Sequence, residues 1–98
     1  RAQQGRFQGV KLELPARLTM QEATAVLGGL QQSIGRASGA AVQLDASALR
    51  ELDTSAISVL LQCRRHARER SVAFVLESVP PQLAALMALY GVAELFGL

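Results

Sequence analysis

Tryptophan is absent from this 98-residue chain, and cysteine and histidine occur once each. No apolar run approaches the roughly 18 consecutive residues of a membrane-spanning helix, so direct membrane insertion is not expected. Each shortage excludes something. A single cysteine, Cys63, forms no intramolecular disulfide, and the natural setting of such a chain is reducing and cytoplasmic. The one histidine, His66, has no second metal-ligand type at a convincing spacing and reads as a surface or boundary residue; no metal and no cofactor are expected. The formal net charge of +2 is too small for a nucleic-acid footprint, although Arg64, Arg65, Arg68 and Arg70 lie close together. No nucleophile-base pair and no glycine-rich phosphate loop stand in the sequence, which argues against an enzyme. The N-terminus lacks the charged, apolar and cleavage regions of a signal peptide. It opens at Arg1 rather than Met, so that end fixes nothing about targeting or about a further strand upstream.

What is present suits one small domain, residues 1–98, with two thin layers of secondary structure. From Phe7 to Leu14, Val10, Leu12 and Leu14 alternate with Lys11 and Glu13, the period of a half-buried strand that Pro15 closes. Thr19-Met20-Gln21-Glu22 is a capping box: the Thr19 hydroxyl is placed to accept the Glu22 amide while the Glu22 carboxylate reaches back. The helix it starts carries Met20, Ala23, Leu27, Leu30 and Ile34 at steps of three and four, which predicts its core face. Gly28 and Gly29 inside it cost about 1 kcal/mol each relative to alanine, so either a bend or a closely packed neighbour is expected there. The turn Gly35 to Ala40 then ends it.

Ala41 to Asp45 reads as a short strand, followed by a connection from Ala46 to Leu52. From Asp53 to about Arg70, Ala56, Val59, Leu60, Cys63 and Ala67 recur at helical spacing, with Ile57 and Leu61 broadening the stripe. Val72 to Glu77 is apolar on both faces, as in a central parallel strand covered on two sides. Pro80-Pro81 suits a helix first turn, with Leu83, Leu86, Met87 and Tyr90 as its core face and Gly91 as its stop. Val92 to Leu98 forms either an edge strand or a last helical turn. Strand and helix thus alternate three times. That order predicts an α/β domain with parallel strands, right-handed crossovers and helices mainly on one sheet face.

Asp53, Thr54 and Ser55 stand where the second long helix begins. A helix N-terminus leaves about four amides without intrahelical partners and carries partial positive charge, so acids and hydroxyls are stabilised there. Asp53 is the expected N-cap, accepting an amide from Ser55 or Ala56, with Thr54 and Ser55 in the first turn. The turn falls at the carboxyl edge of the strands, where open α/β sheets usually place their sites. Cys63 lies on the apolar stripe as a small core residue. The arginines at the far end are favoured by the helix dipole as a solvated face.

The stretch from Ala41 to Phe96 resembles the STAS family of sulphate-transporter and anti-sigma-factor-antagonist modules. An apolar strand ends in Asp45; a second acid, Asp53, precedes small hydroxylated residues, an apolar helix, a basic turn and a further strand. Pro80 to Phe96 is similar to the family's last helix and terminal segment. The resemblance implies the anti-sigma-antagonist fold, with a small mixed sheet, and a non-enzymatic docking module whose second helix forms much of the contact surface. In the Mla-type phospholipid transporters the residue directly after the acid is a functionally important threonine, which is Thr54 here. In the anti-sigma antagonists the second residue after it is a phosphorylated serine, which is Ser55 here. Ala56 departs from both patterns, where glycine is common. The short chain and its Thr54 favour the Mla-type subunit: a partner of an ABC transporter ATPase, cytoplasmic and peripheral to the inner membrane through that complex. The alternative partner is an anti-sigma factor serine kinase acting on Ser55. The expected contact residues are Asp53, Thr54, Ser55, Ile57, Ser58, Gln62 and Arg65.

Overall fold

Lys11 and Glu13 are exposed while Val10 and Leu12 are half-buried, so the first alternation does form a one-sided strand, β1, from Gly9–Glu13. The computed structural model describes residues 9–37 and 40–98. Phe7 and Gln8 of the expected strand, and Ser38 and Gly39 of the expected turn, lie outside the described residues. After β1 come β2 (Arg17–Leu18), α1 (Met20–Ala37), β3 (Ala41–Asp45), β4 (Glu51–Leu52), α2 (Thr54–Glu69), β5 (Phe74–Glu77) and α3 (Pro81–Leu89). A terminal 3₁₀ turn follows at Ala93–Phe96.

The described pairings are all parallel, so the expected mixed sheet resolves into a three-stranded sheet ordered β1-β3-β5 and a two-stranded pair, β2-β4. The central strand is therefore β3, not β5. Although Phe74 to Leu76 is apolar at every position, β5 has β3 as its one strand partner among the described residues, and Val75 is 44% exposed. The two faces explain why. Val42, Leu44 and Leu76 are buried on one face, whereas Lys11, Glu13, Val75 and Glu77 are exposed on the other. Helices α1 and α2 pack against each other and against the first face, and both bury Leu or Ile there: Leu30 and Ile34 from α1, Ile57 and Leu60 from α2. Leu14, Leu18, Leu49, Leu83 and Met87 complete the core.

Two expectations about α1 are corrected. Met20 is 75% exposed, because it occupies the first helical position, beyond the end of the sheet-facing stripe. Gly28 and Gly29 have nothing within 4 Å of where a Cβ would sit, and α1 runs unbroken past them to Ala37. No neighbour needs the space the two glycines leave. In α3, Tyr90 is likewise not core: it is the C-cap residue and 54% exposed. Gly91 stops the helix as expected, in the left-handed region at φ 72°.

Candidate docking surface

The start of α2 is positioned by the small β2-β4 pair, which two-residue segments make invisible to any periodicity. Arg17 pairs with Glu51 and Leu18 with Leu52, and the Ala16 carbonyl accepts the amides of Arg50 and Glu51 at 2.7 and 3.0 Å. In parallel register the next residues, Thr19 and Asp53, are the starts of α1 and α2, so the two helix N-termini emerge side by side. Asp53 uses this. Its Oδ1 accepts the Ser55 amide at 2.8 Å and its Oδ2 accepts the Met20 amide at 3.0 Å, so one carboxylate caps both helices. The Met20 and Ser55 amides, in that order, hold the Asp53 carboxyl below its usual range.

The capping box on α1 also differs in detail from the expected one. Glu22 reaches back to the Thr19 amide at 2.9 Å and receives the Thr19 hydroxyl at 2.6 Å. That hydroxyl accepts from the Gln21 amide at 3.3 Å, rather than from Glu22. Arg17 joins Glu22 at 2.9 Å and Glu51 at 3.2 Å, lacing the same edge together. The Thr19 hydroxyl first, then the Thr19 amide, lowers the Glu22 carboxyl.

Thr54 and Ser55 part company at this turn. Thr54 is exposed, whereas Ser55 is half-buried and its amide is held by the Asp53 carboxylate. Ala56 is fully buried, so a residue with a Cβ fits where glycine is common. Further along α2, Ser58, Gln62 and Arg65 are exposed, and the Gln62 amide donates to the Ser58 hydroxyl at 3.1 Å. Ile57, on the apolar stripe, is buried at 7% exposure and presents only the edge of its side chain to the surface.

Thr54, Ile57, Ser58 and Gln62 line one groove of about 450 Å³, with Leu61 and Tyr90 as its remaining walls. A second hollow of about 500 Å³ adjoins it, lined by Arg50, Glu51, Leu52, Asp53, Thr54, Gln82 and Leu86. Thr54 is common to both. The expected residues Ser55 and Arg65 line neither hollow. Gln82, Leu86 and Tyr90, all missed as surface residues, are spaced by four along α3, and that spacing was the available signal. The arginine run divides as well. Arg64 Nε donates to the Leu95 carbonyl at 3.0 Å, and Arg70 Nε donates to His66 Nε2 at 3.1 Å. Arg65 and Arg68 stay exposed with no side-chain partner among the described residues.

Both Asp53 oxygens are committed to amides, and burial pushes the Cys63 thiol up to about 12, where it is no nucleophile. Over the uncovered sheet face Glu13, Asp45 and Glu77 share one register row, but no described group of three acids, histidines or cysteines is placed to hold a metal ion. No described helix is long and apolar enough to cross a membrane.

An α/β layer covered on one face, with an exposed helix start flanked by hollows, is the build of a STAS domain. The chain belongs to that family, in its MlaB-like branch: the family model described as "Mlab, STAS domain" matches residues 2–97. Among solved structures, a STAS domain protein from Planctomyces limnophilus, titled an anti-sigma-factor antagonist, is similar with a TM-score of 0.75 at 20% identity. The match covers 87% of this chain and 77% of that one, a likeness of fold. No curated protein matches. STAS domain proteins are generally non-enzymatic regulators that work through contacts with other proteins.

Proposed function

We propose that residues 1–98 form a single STAS domain that binds and regulates the ATPase subunit of an Mla-type phospholipid ABC transporter. The observation that carries this reading is the division of labour at the start of α2. Thr54 is exposed at the junction of two hollows, while Ser55 is half-buried and bound up with the Asp53 carboxylate. A partner reading this turn meets Thr54 first. The domain would sit in the cytoplasm, held at the inner membrane by the transporter, and it acts by docking, without a cofactor.

The competing reading is an anti-sigma-factor antagonist phosphorylated at Ser55, a half-buried position in a helix first turn that tolerates added negative charge. A phosphate adds nearly two negative charges, and at Ser55 they would stand beside a carboxylate that already occupies the amides of both helix starts.

Co-expression with a candidate ABC transporter ATPase, followed by affinity capture, tests the proposal. Wild type is expected to retain the ATPase, and Thr54→Glu to weaken capture by at least about tenfold, or ~1.4 kcal/mol. An acid in a helix first turn is compatible with the fold, so this loss reads the contact rather than unfolding. Unimpaired binding by Thr54→Glu sinks the reading. Incubation with a candidate anti-sigma-factor serine kinase and ATP, with the modified residue located by mass spectrometry, decides the alternative: phosphate on Ser55 would replace the transporter reading.

A further inference from the structure

Charge in this molecule is sorted by end. Strands β1, β3 and β5 run parallel, so the C-termini of α1 and α2 meet at the end where the strands begin. Arg36 lies in the last turn of α1 there, and Arg64, Arg65, Arg68 and Arg70 occupy the last turns and cap of α2; the acids among them are Glu69 and Glu94. The two helix ends are adjacent: a Cβ on Gly35 would lie 3.8 Å from Arg70 Nε. Where the strands finish, the balance reverses. Glu13, Asp45 and Glu77 end the strands, and Glu22, Glu51 and Asp53 lie at or beside the starts of α1 and α2. The bases at that end are Arg17, paired with Glu22 and Glu51, and Arg50, which donates to the carbonyls of Ser47 and Leu49. Among the described residues the molecule is therefore an electric dipole along α2, whose 16 residues separate the poles by about 24 Å.

The basic pole also exposes apolar side chains. Arg64 Nε donates to the Leu95 carbonyl at 3.0 Å, and the Phe96 ring meets edge-on the ring of Phe74, the first residue of β5, at 6.4 Å between centroids. Both contacts seat the terminal turn beside the end of α2, yet Leu95 and Leu98 stay 46% and 48% exposed. Arg36, Arg65 and Arg68 are exposed as well, with no side-chain partner among the described residues. Leucines beside unpaired guanidiniums suit the boundary between water and lipid, where arginines meet headgroup phosphates and leucines reach the acyl chains. A nucleic-acid backbone would leave the leucines without a use, since its affinity comes from phosphate charge. The hollow at this pole, about 200 Å³, is lined by Gln31, Gln62, Arg65, His66 and Glu69. It offers a protein segment no apolar cleft, whereas a bilayer needs only a blunt end.

We infer that this pole rests on the anionic headgroup layer of a phospholipid bilayer, with Arg36, Arg65 and Arg68 over phosphates and Leu95 and Leu98 at the acyl boundary. The same surface repels the acidic pole. The domain is thereby oriented with α2 rising from the bilayer and its Thr54 edge outermost. This goes beyond the proposed docking function and uses the opposite end of the molecule, so each stands or falls separately.

The test sediments the full chain with vesicles of phosphatidylcholine alone and of phosphatidylcholine with about one third phosphatidylglycerol, at about 50 and about 300 mM salt. At low salt the anionic vesicles are expected to bind at least about tenfold more tightly than the neutral ones, and high salt to remove most of that difference. Each basic side chain at such a surface strengthens binding by roughly fivefold, so Arg65→Glu combined with Arg68→Glu is expected to lose at least about tenfold. Leu95→Ser with Leu98→Ser is expected to lose severalfold at low salt. All four positions are exposed, and an unchanged circular dichroism spectrum identifies each loss as one of surface. Thr54→Glu, at the far pole, is expected to bind vesicles as wild type does even where it no longer captures an ATPase. Equal binding to neutral and anionic vesicles, no binding to either, or wild-type binding by the arginine variant overturns the inference. Retention by double-stranded DNA or by an acidic peptide, without retention by vesicles, overturns it too and assigns the pole to that other polyanion.

Discussion

Asp53 is the residue on which most of the edge depends. Its carboxylate and that of Glu22 are both held below their ordinary values, by the Met20 and Ser55 amides for Asp53 and by Thr19 for Glu22. A folded pKa below the unfolded one contributes stability that is fully present above the unfolded value and is lost as pH falls through the folded value. The window therefore opens below 4.5 for Glu22 and 3.8 for Asp53 and extends downward from there. Thermal unfolding followed by circular dichroism from neutral pH to about pH 2 should show the midpoint falling through that range. Asp53→Asn should start lower at neutral pH and fall less steeply; a wild-type slope in the variant would mean that the two amide bonds contribute nothing. The cap on α2 was legible in the sequence, since an acid directly before an apolar helical stripe is a local signal. The cap on α1 was not: Met20 lies 33 positions away, and only the β2-β4 register brings it near.

At the scale of elements, the three long strands and three helices could be read from period and punctuation, because each buries one face and several are bounded by a proline, a glycine or a cap. What failed shares a cause. Met20 and Tyr90 sit at helix ends, where the spacing still fits the stripe but the neighbouring layer has run out. The apolar run of β5 suggested burial on both faces, yet strand order, which no local pattern carries, puts it beside β3 alone among the described strands. The Gly28-Gly29 pair is an element-scale weakness with no packing reason, since both are exposed and open space surrounds the Cβ positions. Replacing either by alanine should raise stability by roughly 0.5–1 kcal/mol, read as a shift of the urea midpoint with an unchanged slope. A loss of stability instead would show that α1 needs its glycines for a contact outside the described residues.

For the molecule as a whole, one sheet face carries the core and no described element covers the other, so cooperativity among the described residues rests on the α1, α2 and sheet interior. Cys63 is at its centre, fully buried and with its thiol pushed up to about 12. A thiol reagent at mildly alkaline pH should leave it unlabelled until denaturant unfolds the chain, with labelling and loss of helical signal sharing one midpoint. Labelling well before that midpoint would reveal a partial opening of α2. The proposed docking surface, by contrast, lies at the periphery, so an exposed residue such as Thr54 can vary with little strain on the interior. Asp53 has no such freedom. Because one carboxylate seats the first helix and the docking helix together, a genetic screen for lost partner binding will return Asp53 for reasons of folding as well as contact. Inheritance should accordingly treat the two neighbours differently: Thr54 is free to track a changing partner, while Asp53 is tied to the architecture and stays put when the partner changes.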